Sequence, residues 1–276
     1  MLNDAQIKSV QNLHDSDVTS ANNLNRTVKV LEYKVITALW LPLGALIFCY
    51  VTASIFQADD IHETHCRVYN IVPSISSITG ISPQRYIWRI CIAYHLGPRL
   101  LIGSLYYNYH KERTLHIPEE KVSSKPQLGE ACYWLNLIEL FALTGVTYVS
   151  NRENYFIHEK IFIIFMVATL LHMLCRAQVG CIASAVVEPV KSNKLVWVLF
   201  CVAICATVGL IFFFLSHRLL CRPLAFTWFS VCEYILAITN MAFHAIVVRD
   251  LPLHEFRNLV LVQFLSHIDT HLYVHI

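Results

Sequence analysis

Ionisable and amide side chains recur at helical spacing inside the most apolar stretches of this sequence. These residues are Arg89, His95, Arg99, Asn136, Glu139, His172, Arg176, Glu233, Asn240 and His244. His95 and Arg99 are four residues apart, so they share one face of a helix. A charge near the centre of a bilayer costs about 2.5–3.5 kcal/mol on insertion scales, so such residues normally face the protein interior. The spacing therefore predicts polar helix faces directed at a shared interior.

Two interpretations of these polar faces remain open. In the first, Glu139 and Glu233 neutralise arginines and stabilise the bundle. In the second, the faces line a cavity for a polar, anionic head group. Three arginines against two glutamates favour a cavity, because the guanidinium fork matches a phosphate group. No metal is expected at His95, His172 and His244, since no His-x-x-x-His or Asp-rich spacing accompanies them.

The elements that position these side chains must be membrane helices. Hydrophobic residues make up 56% of the 276-residue chain and charged residues only 14%, whereas soluble domains carry roughly 25% charged residues. The mean hydropathy of +0.51 also indicates a membrane protein. A soluble globular domain is excluded, and a net charge of +2 gives no indication of a nucleic-acid partner. The composition predicts an all-α, polytopic membrane helix bundle.

Six apolar runs reach the length of about 20 residues that crosses a bilayer. They cover residues 35–56, 87–107, 131–149, 161–187, 195–215 and 224–248. The predicted organisation is a polar cytoplasmic segment 1–34, a six-helix domain 35–248 with a lumenal loop 57–86, and a tail 249–276. The apolar stretch in that tail is either an interfacial helix or an atypical isoform end.

The distribution of basic residues predicts the topology of these spans. Lys and Arg outside the spans number twelve on one side and six on the other, which predicts that both termini are cytoplasmic. No early apolar stretch is present, so we expect the first span to act as an uncleaved anchor.

Cysteine placement predicts one disulfide. Of ten cysteines, eight fall in or beside apolar spans, and only Cys66 and Cys221 lie in loops. Both loops are assigned to the non-cytoplasmic side, which is oxidising in the secretory pathway, so these two cysteines are expected to pair. Ser74, Ser76 and Ser77 of the first loop are interpreted as capping residues rather than nucleophiles, since the sequence has no Gly-x-Ser-x-Gly elbow.

Several motifs resemble one family in the same order along residues 35–250. They are Thr64–Cys66, Val72–Ser77, Pro83–Arg89, His95 with Pro98–Arg99, Thr147–Ser150, Ile157–Glu159, Glu233–Tyr234 and Thr239–His244. Together they resemble the post-GPI attachment to proteins factor 2 family, multispan proteins of the Golgi and endoplasmic reticulum. The 78–83 segment is one residue shorter than the family's Gly-rich version, and the tail after Asp250 differs from the family's short polar end.

The resemblance implies a role in the lipid remodelling of glycosylphosphatidylinositol (GPI) anchors. The implied stage is the addition of a saturated acyl chain to lyso-GPI, with this chain as the transferase or its essential partner. A non-enzymatic adaptor or lipid-binding protein for GPI-anchored cargo is the alternative. Expected partners are membrane lipid, GPI-anchored proteins and other GPI-remodelling proteins. The expected location is the Golgi membrane or the endoplasmic reticulum membrane. No resident cofactor is expected, and acyl-CoA or a phospholipid would supply the acyl chain.

The resemblance and the spacing together assign roles to individual residues. Arg85, Arg89 and Arg99 are expected to hold the phosphate of the GPI lipid or the anionic part of an acyl donor. His158 with Glu159, or alternatively His65, provides the acid–base candidates, because histidine titrates near neutral pH.

Overall fold

The computed structural model describes residues 4–115, 125–186 and 192–251, which form helices joined by loops, with no strand among these residues. The helices are α1 (Asp4–Phe56), α2 (Ala58–His62), α3 (Ile75–Thr79), α4 (Gln84–Leu115), α5 (Lys125–Tyr148), α6 (Tyr155–Val186), α7 (Asn193–Leu220) and α8 (Ala225–Asp250). The predicted all-α membrane helix bundle is confirmed.

Four of these helices are long and apolar enough to cross a membrane. They are α1 over Asn25–Phe56, α6 over Tyr155–Ile182, α7 and α8. Helices α4 and α5 have 32 and 24 residues, and at about 1.5 Å per residue both exceed a hydrocarbon core of roughly 30 Å. Their interior charges, such as Arg99 and Glu139, lower their hydropathy. The count of six spans and the placement of the termini remain predictions.

The chain divides into two compact units. Among the described residues, 4–37 and Leu251 belong to one unit, and Ala38–Asp250 form the other. Within the first unit, the described part is the beginning of α1 together with Leu251, so the prediction for the tail lies outside the described residues. The second unit contains all the sites discussed below.

The second unit is held by neighbouring helices that pack closely, with α5 against α6, α7 against α8, and α4 against α5. Gly103 makes the α4–α5 contact possible, because a Cβ there would lie only 2.2 Å from Nδ2 of Asn136. Helix α7 presents large apolar side chains outward, among them Val208, Ile211 and Phe212. An apolar outer surface is what a lipid environment requires.

The segment between α1 and α4 folds back onto the bundle instead of extending away from it. Ile61 and Ile78 are fully buried in one apolar core with Leu46, Cys49 and Ala53 of α1. A further contact comes from the main-chain N–H of Ile71, which donates to the hydroxyl of Thr227 in α8 at 3.0 Å. The 57–83 segment therefore covers one end of the bundle, termed here the loop end.

Candidate functional site

A group of paired polar side chains, termed here the ionic cluster, lies in the interior of the bundle. Its members are Arg99, Asn136, Glu139, Thr169, His172, Asn240 and His244. Glu139 is fully buried, and its Oε1 accepts hydrogen bonds from Arg99 Nη2 at 2.9 Å and Asn240 Nδ2 at 2.8 Å. Its Oε2 lies 2.7 Å from His172 Nδ1. The cluster thus joins α4, α5, α6 and α8 through one carboxylate.

Three donor atoms of this cluster have the arrangement of a metal site. Single ligand atoms of Glu139, His172 and His244 lie within 4.8 Å of one another, and three protein ligands suffice for a catalytic zinc site. However, Arg99 Nη2 lies 2.6 Å from His244 Nε2 and 2.9 Å from Glu139 Oε1. A guanidinium does not lose its charge in proteins, so a fixed cation already contacts two of the three donors. We interpret the cluster as an ion-pair network.

Two further residues that the sequence predicts in the site, His95 and Arg176, also contact other groups of the protein. His95 is held through its Nδ1, 3.0 Å from the carbonyl oxygen of Ala38. That carbonyl has no helical partner because the residue four positions on, Pro42, lacks an N–H. Arg176 donates to Asp250 at 2.5 Å, and its guanidinium carbon lies 4.6 Å from the centre of the Tyr106 ring.

A cavity of about 110 Å³ lies between the ionic cluster and the loop end. Its wall is mainly apolar and comes from α1, α3, α4, α5, α6 and α8, with Pro42, Leu46, Trp88, Ile92, Leu143, Val146, Phe162, Phe165 and Leu236 among the lining residues. Polar groups occur at two levels, with His95, Arg99 and Asn240 at one and Ser76, His158 and Glu233 at the other. Glu233 and Asn240 are seven residues apart on α8, which is about 10 Å along the helix.

At the loop-end level of the cavity, termed here the cavity mouth, a serine and a histidine form a hydrogen-bonded pair. The Oγ atom of Ser76 lies 2.9 Å from Nε2 of His158. On the other side of the ring, Nδ1 lies 2.7 Å from the carbonyl oxygen of Val149. A carbonyl only accepts, so Nδ1 carries the proton and Nε2 of the neutral ring accepts from the serine hydroxyl. This is the arrangement in which a histidine activates a serine.

The third polar group of the cavity mouth, Glu233, anchors the start of α3. Its carboxylate accepts a hydrogen bond of 2.8 Å from the main-chain N–H of Ile75, the residue before Ser76. Among the described residues Glu233 has no arginine partner, so the proposed neutralisation of arginines applies to Glu139 but not to Glu233.

Arg85 and Arg89 both contact Glu153 in the connection between α5 and α6. The distances are 3.4 Å from Arg85 and 2.6 Å from Arg89. Arg89 also donates to the carbonyl of Tyr148 at 2.8 Å. The main-chain N–H of Ser150, with further help from its hydroxyl and from Arg89, lowers the pKa of Glu153 to about 2. These contacts hold the connection that supplies the Val149 carbonyl to His158.

A second, wider pocket of about 510 Å³ opens at the loop end, and we term it the basic pocket. Its lining includes Glu63, Thr64, His65, Arg67, Ser74, Ser77, Asn151, Arg152, Tyr155, Phe214, His217, Arg218 and Phe226. Three arginines face one glutamate there, and no ion pair of Arg67, Arg152 or Arg218 occurs within the described part of the chain. Cys66 and Cys221 form the disulfide expected from the sequence, with 5.5 Å between their Cα atoms.

Helix α3 separates the cavity from the basic pocket. Ile75, Ser76 and Thr79 line the cavity, whereas Ser74 and Ser77 line the basic pocket. Gly80 lets α3 approach the α5–α6 connection, since a Cβ there would lie 2.5 Å from Oδ1 of Asn151. An apolar space and a cationic space are therefore adjacent, with a serine–histidine pair beside the partition.

The structure distributes the sequence-predicted site residues over several places. Arg99, Glu139, His172, Asn240 and His244 meet in the ionic cluster, and His158 and Glu233 meet at the cavity mouth. His65 is exposed in the basic pocket, away from His158. Within the described residues the ring of His158 contacts Val149 and Ser76, and the acid–base roles expected of His158 with Glu159, or of His65, remain predictions.

Sequence reasoning missed Ser76 and the arginines of the basic pocket. Ser74 does cap α3, as expected, because its Oγ accepts from the N–H of Ser77 at 3.1 Å. Ser76, however, bonds to His158 instead of capping the helix. A signal for Arg67 and Arg218 was present, since they lie one and three residues from the two cysteines of the predicted disulfide.

Comparisons with known proteins give matches over most of the chain. It is 49% identical over 225 residues to a "Post-GPI attachment to proteins factor 2-like" protein of Drosophila melanogaster, covering 80% of this chain and 69% of that protein. It is 34% identical to "Acyltransferase PGAP2" of Xenopus tropicalis over 74% of this chain and 81% of that protein. It is 33% identical to "Post-GPI attachment to proteins factor 2" of Drosophila pseudoobscura pseudoobscura over 76% and 81%.

No solved structure matches the chain. The family model described as Frag1/DRAM/Sfk1/Cwh43P N-terminal domain matches residues 31–254, which include the ionic cluster, the cavity and the basic pocket. The chain therefore belongs to the Frag1/DRAM/Sfk1/Cwh43P N-terminal domain family.

Proposed function

We propose that this protein remodels the lipid of GPI anchors by transferring a saturated acyl chain to lyso-GPI in the Golgi or endoplasmic reticulum membrane. The names of its relatives support this proposal, since they refer to post-GPI attachment and, in two cases, to acyltransferase activity. GPI-anchored proteins and their lipids would be the partners.

The proposal rests on the position of α3, which separates the apolar cavity from the basic pocket. A GPI lipid combines acyl chains with a phosphodiester, and the reacting hydroxyl lies between these parts. The apolar cavity suits a segment of acyl chain, and the basic pocket suits the phosphate. The serine–histidine pair at the cavity mouth lies between the two spaces, where the reacting groups would meet.

Electrostatics favour the basic pocket for the phosphate over the residues assigned from the sequence. Arg85 and Arg89 are bound to Glu153, and Arg99 is bound to Glu139. A phosphate binding to these arginines would have to displace a carboxylate. Arg67 and Arg218 line an open pocket without such a competitor in the described ion pairs, so they can form charge-assisted hydrogen bonds directly.

The test is acyl transfer by the protein purified in detergent, with lyso-GPI as acceptor and stearoyl-CoA or a phospholipid as donor. When the acyl chain of the donor carries a label, we expect the label to appear on GPI. Replacing both Arg67 and Arg218 by alanine should lower the rate by about 100-fold or more, since hydrogen bonds to charged groups contribute about 1.5–3 kcal/mol each and about 1.4 kcal/mol corresponds to a factor of ten. Arg222→Ala is the matched control, an exposed arginine outside the basic pocket.

The second measurement uses cells that lack this protein. In these cells lyso-GPI should accumulate, and GPI-anchored proteins should be shed from the surface. If these cells show the defect but the purified protein transfers nothing from either donor, the transferase function is wrong and the adaptor alternative is favoured. Normal GPI lipids in these cells would overturn the proposal as a whole.

A further inference from the structure

We infer that Ser76 is the nucleophile of a two-step acyl transfer, with His158 as its general base and acid. The inference rests on the proposed function in taking the cavity as the acyl site. It goes beyond that function because it names a covalent intermediate and the atom that carries it.

The serine–histidine pair has the geometry that catalysis requires. A serine and its base must lie within about 2.6–3.2 Å of each other, and Ser76 Oγ is 2.9 Å from His158 Nε2. Catalytic serine–histidine pairs also need a third group that fixes the tautomer of the ring. The Val149 carbonyl does this at 2.7 Å from Nδ1. His158 is 8% exposed, so bulk water does not compete strongly for these contacts.

The three serines at the start of α3 use their hydroxyl groups differently. Ser74 Oγ accepts from the N–H of Ser77, and Ser77 Oγ donates to the carbonyl of Ser74 at 2.8 Å. Both hydroxyls are therefore used in forming the first turn of the helix. The hydroxyl of Ser76 is directed instead to His158, and Ser76 lines the cavity together with apolar side chains. A capping role explains Ser74 and Ser77 but leaves the Ser76 contact unexplained.

Neighbouring contacts hold the serine–histidine pair in place, as a catalytic pair requires. Glu233 fixes the residue before Ser76 through the N–H of Ile75. On the other side, Arg89 donates to the carbonyl of Tyr148, next to the carbonyl that orients His158. Glu233 and Arg89 are thus positioning residues, whereas the sequence predicts that they face or hold the anionic part of the substrate.

The proposed transfer proceeds in two steps, formation of an acyl-serine and its breakdown by the acceptor. Ser76 Oγ attacks the carbonyl carbon of an acyl thioester or an acyl ester, and its proton passes to His158 Nε2. The carbon–sulfur or carbon–oxygen bond of the donor breaks, and His158 returns the proton to the departing thiol or alcohol. The lysolipid hydroxyl then attacks the acyl-serine and gives its proton to His158. The bond from the acyl carbon to Ser76 breaks, and the serine recovers its proton.

A direct transfer, in which His158 activates the lysolipid hydroxyl and Ser76 takes no part, is the competing mechanism. The two differ in whether an acyl chain becomes attached to the protein before the acceptor is added. The experiment therefore incubates the full-length purified protein with one donor and no lyso-GPI, stops the reaction in acid, and measures the mass of the peptide that contains residue 76. Separate incubations with stearoyl-CoA and with phosphatidylcholine distinguish the thioester source from the ester source.

We expect a stearoyl adduct on Ser76 that disappears when lyso-GPI is added. Ser76→Ala should abolish the adduct and lower transfer about 100-fold or more. His158→Gln should also prevent the adduct. Ser82→Ala is the matched control on the same segment, since Ser82 is exposed and outside the cavity. Elution volume and thermal stability in detergent establish that each variant is folded.

A fluorophosphonate probe separates this inference from the proposed function, since it reacts with activated serines whatever their natural substrate. Labelling of Ser76 that requires His158 supports the inference even if no transfer to lyso-GPI is found. Conversely, transfer by the wild type with no adduct, no labelling of Ser76 and a Ser76→Ala rate within threefold of normal would overturn the inference and leave the proposed function in place.

Discussion

The ionic cluster and the cavity mouth are both groups of buried polar residues, but they differ in how fully protein partners occupy them. In the ionic cluster, the Glu139 carboxylate accepts from Arg99 and Asn240 and contacts two histidines. At the cavity mouth, Ser76 and His158 have one contact to each other and border a cavity of about 110 Å³.

Burying polar groups in a membrane bundle is energetically unfavourable, and the two regions use such groups for different purposes. A carboxylate that already has several partners contributes to holding four helices together and has little capacity left for a substrate. A hydroxyl that meets one base beside an apolar space retains that capacity. We expect variants of the ionic cluster to lower stability and variants of the cavity mouth to lower activity.

The largest effect is expected from Glu139→Ala. The change leaves Arg99 as a buried cation without its carboxylate, and breaking a buried pair in this way costs about 3–5 kcal/mol. Little folded protein should remain, as measured by elution volume and thermal unfolding in detergent. Glu159→Gln is the control for loss of a carboxylate, because Glu159 lies outside the ionic cluster and the cavity.

A double variant, Arg99→Met with Glu139→Met, makes this prediction sharper. It removes both charges together, and such replacements of a buried pair by apolar residues are often neutral or stabilising. Recovery of folded protein relative to Glu139→Ala would agree with a structural role for the pair. If Glu139→Ala unfolds no more readily than the wild type, the cluster does not stabilise the bundle and the comparison fails.

An intermediate effect is expected from a substitution that fills the cavity and leaves its polar residues unchanged. Ala237 lines the cavity from α8, and Ala237→Leu would occupy space that we assign to an acyl chain. Transfer of stearoyl should fall about tenfold while the thermal midpoint changes little, since the added methyl groups enter existing space. Shorter acyl donors should be affected less.

Ile238→Phe serves as the control for added bulk on the same helix, because Ile238 is 46% exposed. Equal losses of activity in both variants would indicate a general effect on α8 and would contradict an acyl site in the cavity.

The same two regions show how far the sequence alone could lead. The pairing of Glu139 with arginine and histidine follows from the cost of isolated charges in a bilayer, so the ionic cluster could be predicted from helical spacing. The disulfide could be predicted as well, because only two cysteines lie in loops. The contact of Ser76 with His158 joins residues 82 positions apart, and it depends on a five-residue helix that folds back onto the bundle. No periodic pattern in the sequence encodes that return.

The contacts of Arg85 and Arg89 with Glu153 could not be predicted from the sequence for a related reason. Their partner Glu153 lies in a short connection, and a lone acidic residue in a loop gives no sequence signal of pairing. In the sequence these two arginines therefore have no evident partner at the end of a span, a pattern that predicts phosphate binding. Only the fold shows that the α5–α6 connection brings its carboxylate to them.

The smallest effect is expected at Glu153, which supports the cavity mouth from outside. The Ser150 N–H, the Ser150 hydroxyl and Arg89 lower the pKa of Glu153 to about 2, so its carboxylate form stabilises the fold. This contribution is complete above the ordinary pKa of 4.5 and is lost as the pH falls towards about 2. Because the side chain is 40% exposed, solvent screening limits the contribution to about 0.2–1 kcal/mol.

Glu153→Gln should therefore lower the thermal midpoint slightly, by the same amount from pH 7 to pH 5, and the difference from the wild type should shrink below about pH 4.5. Thermal unfolding of both proteins in detergent across this range provides the measurement, with Glu159→Gln as the control. A difference that already shrinks between pH 7 and pH 5 would mean that the carboxylate titrates near or above its ordinary pKa. In that case Ser150 and Arg89 would not hold it, and the orientation of His158 would depend on the Val149 carbonyl without support from Glu153.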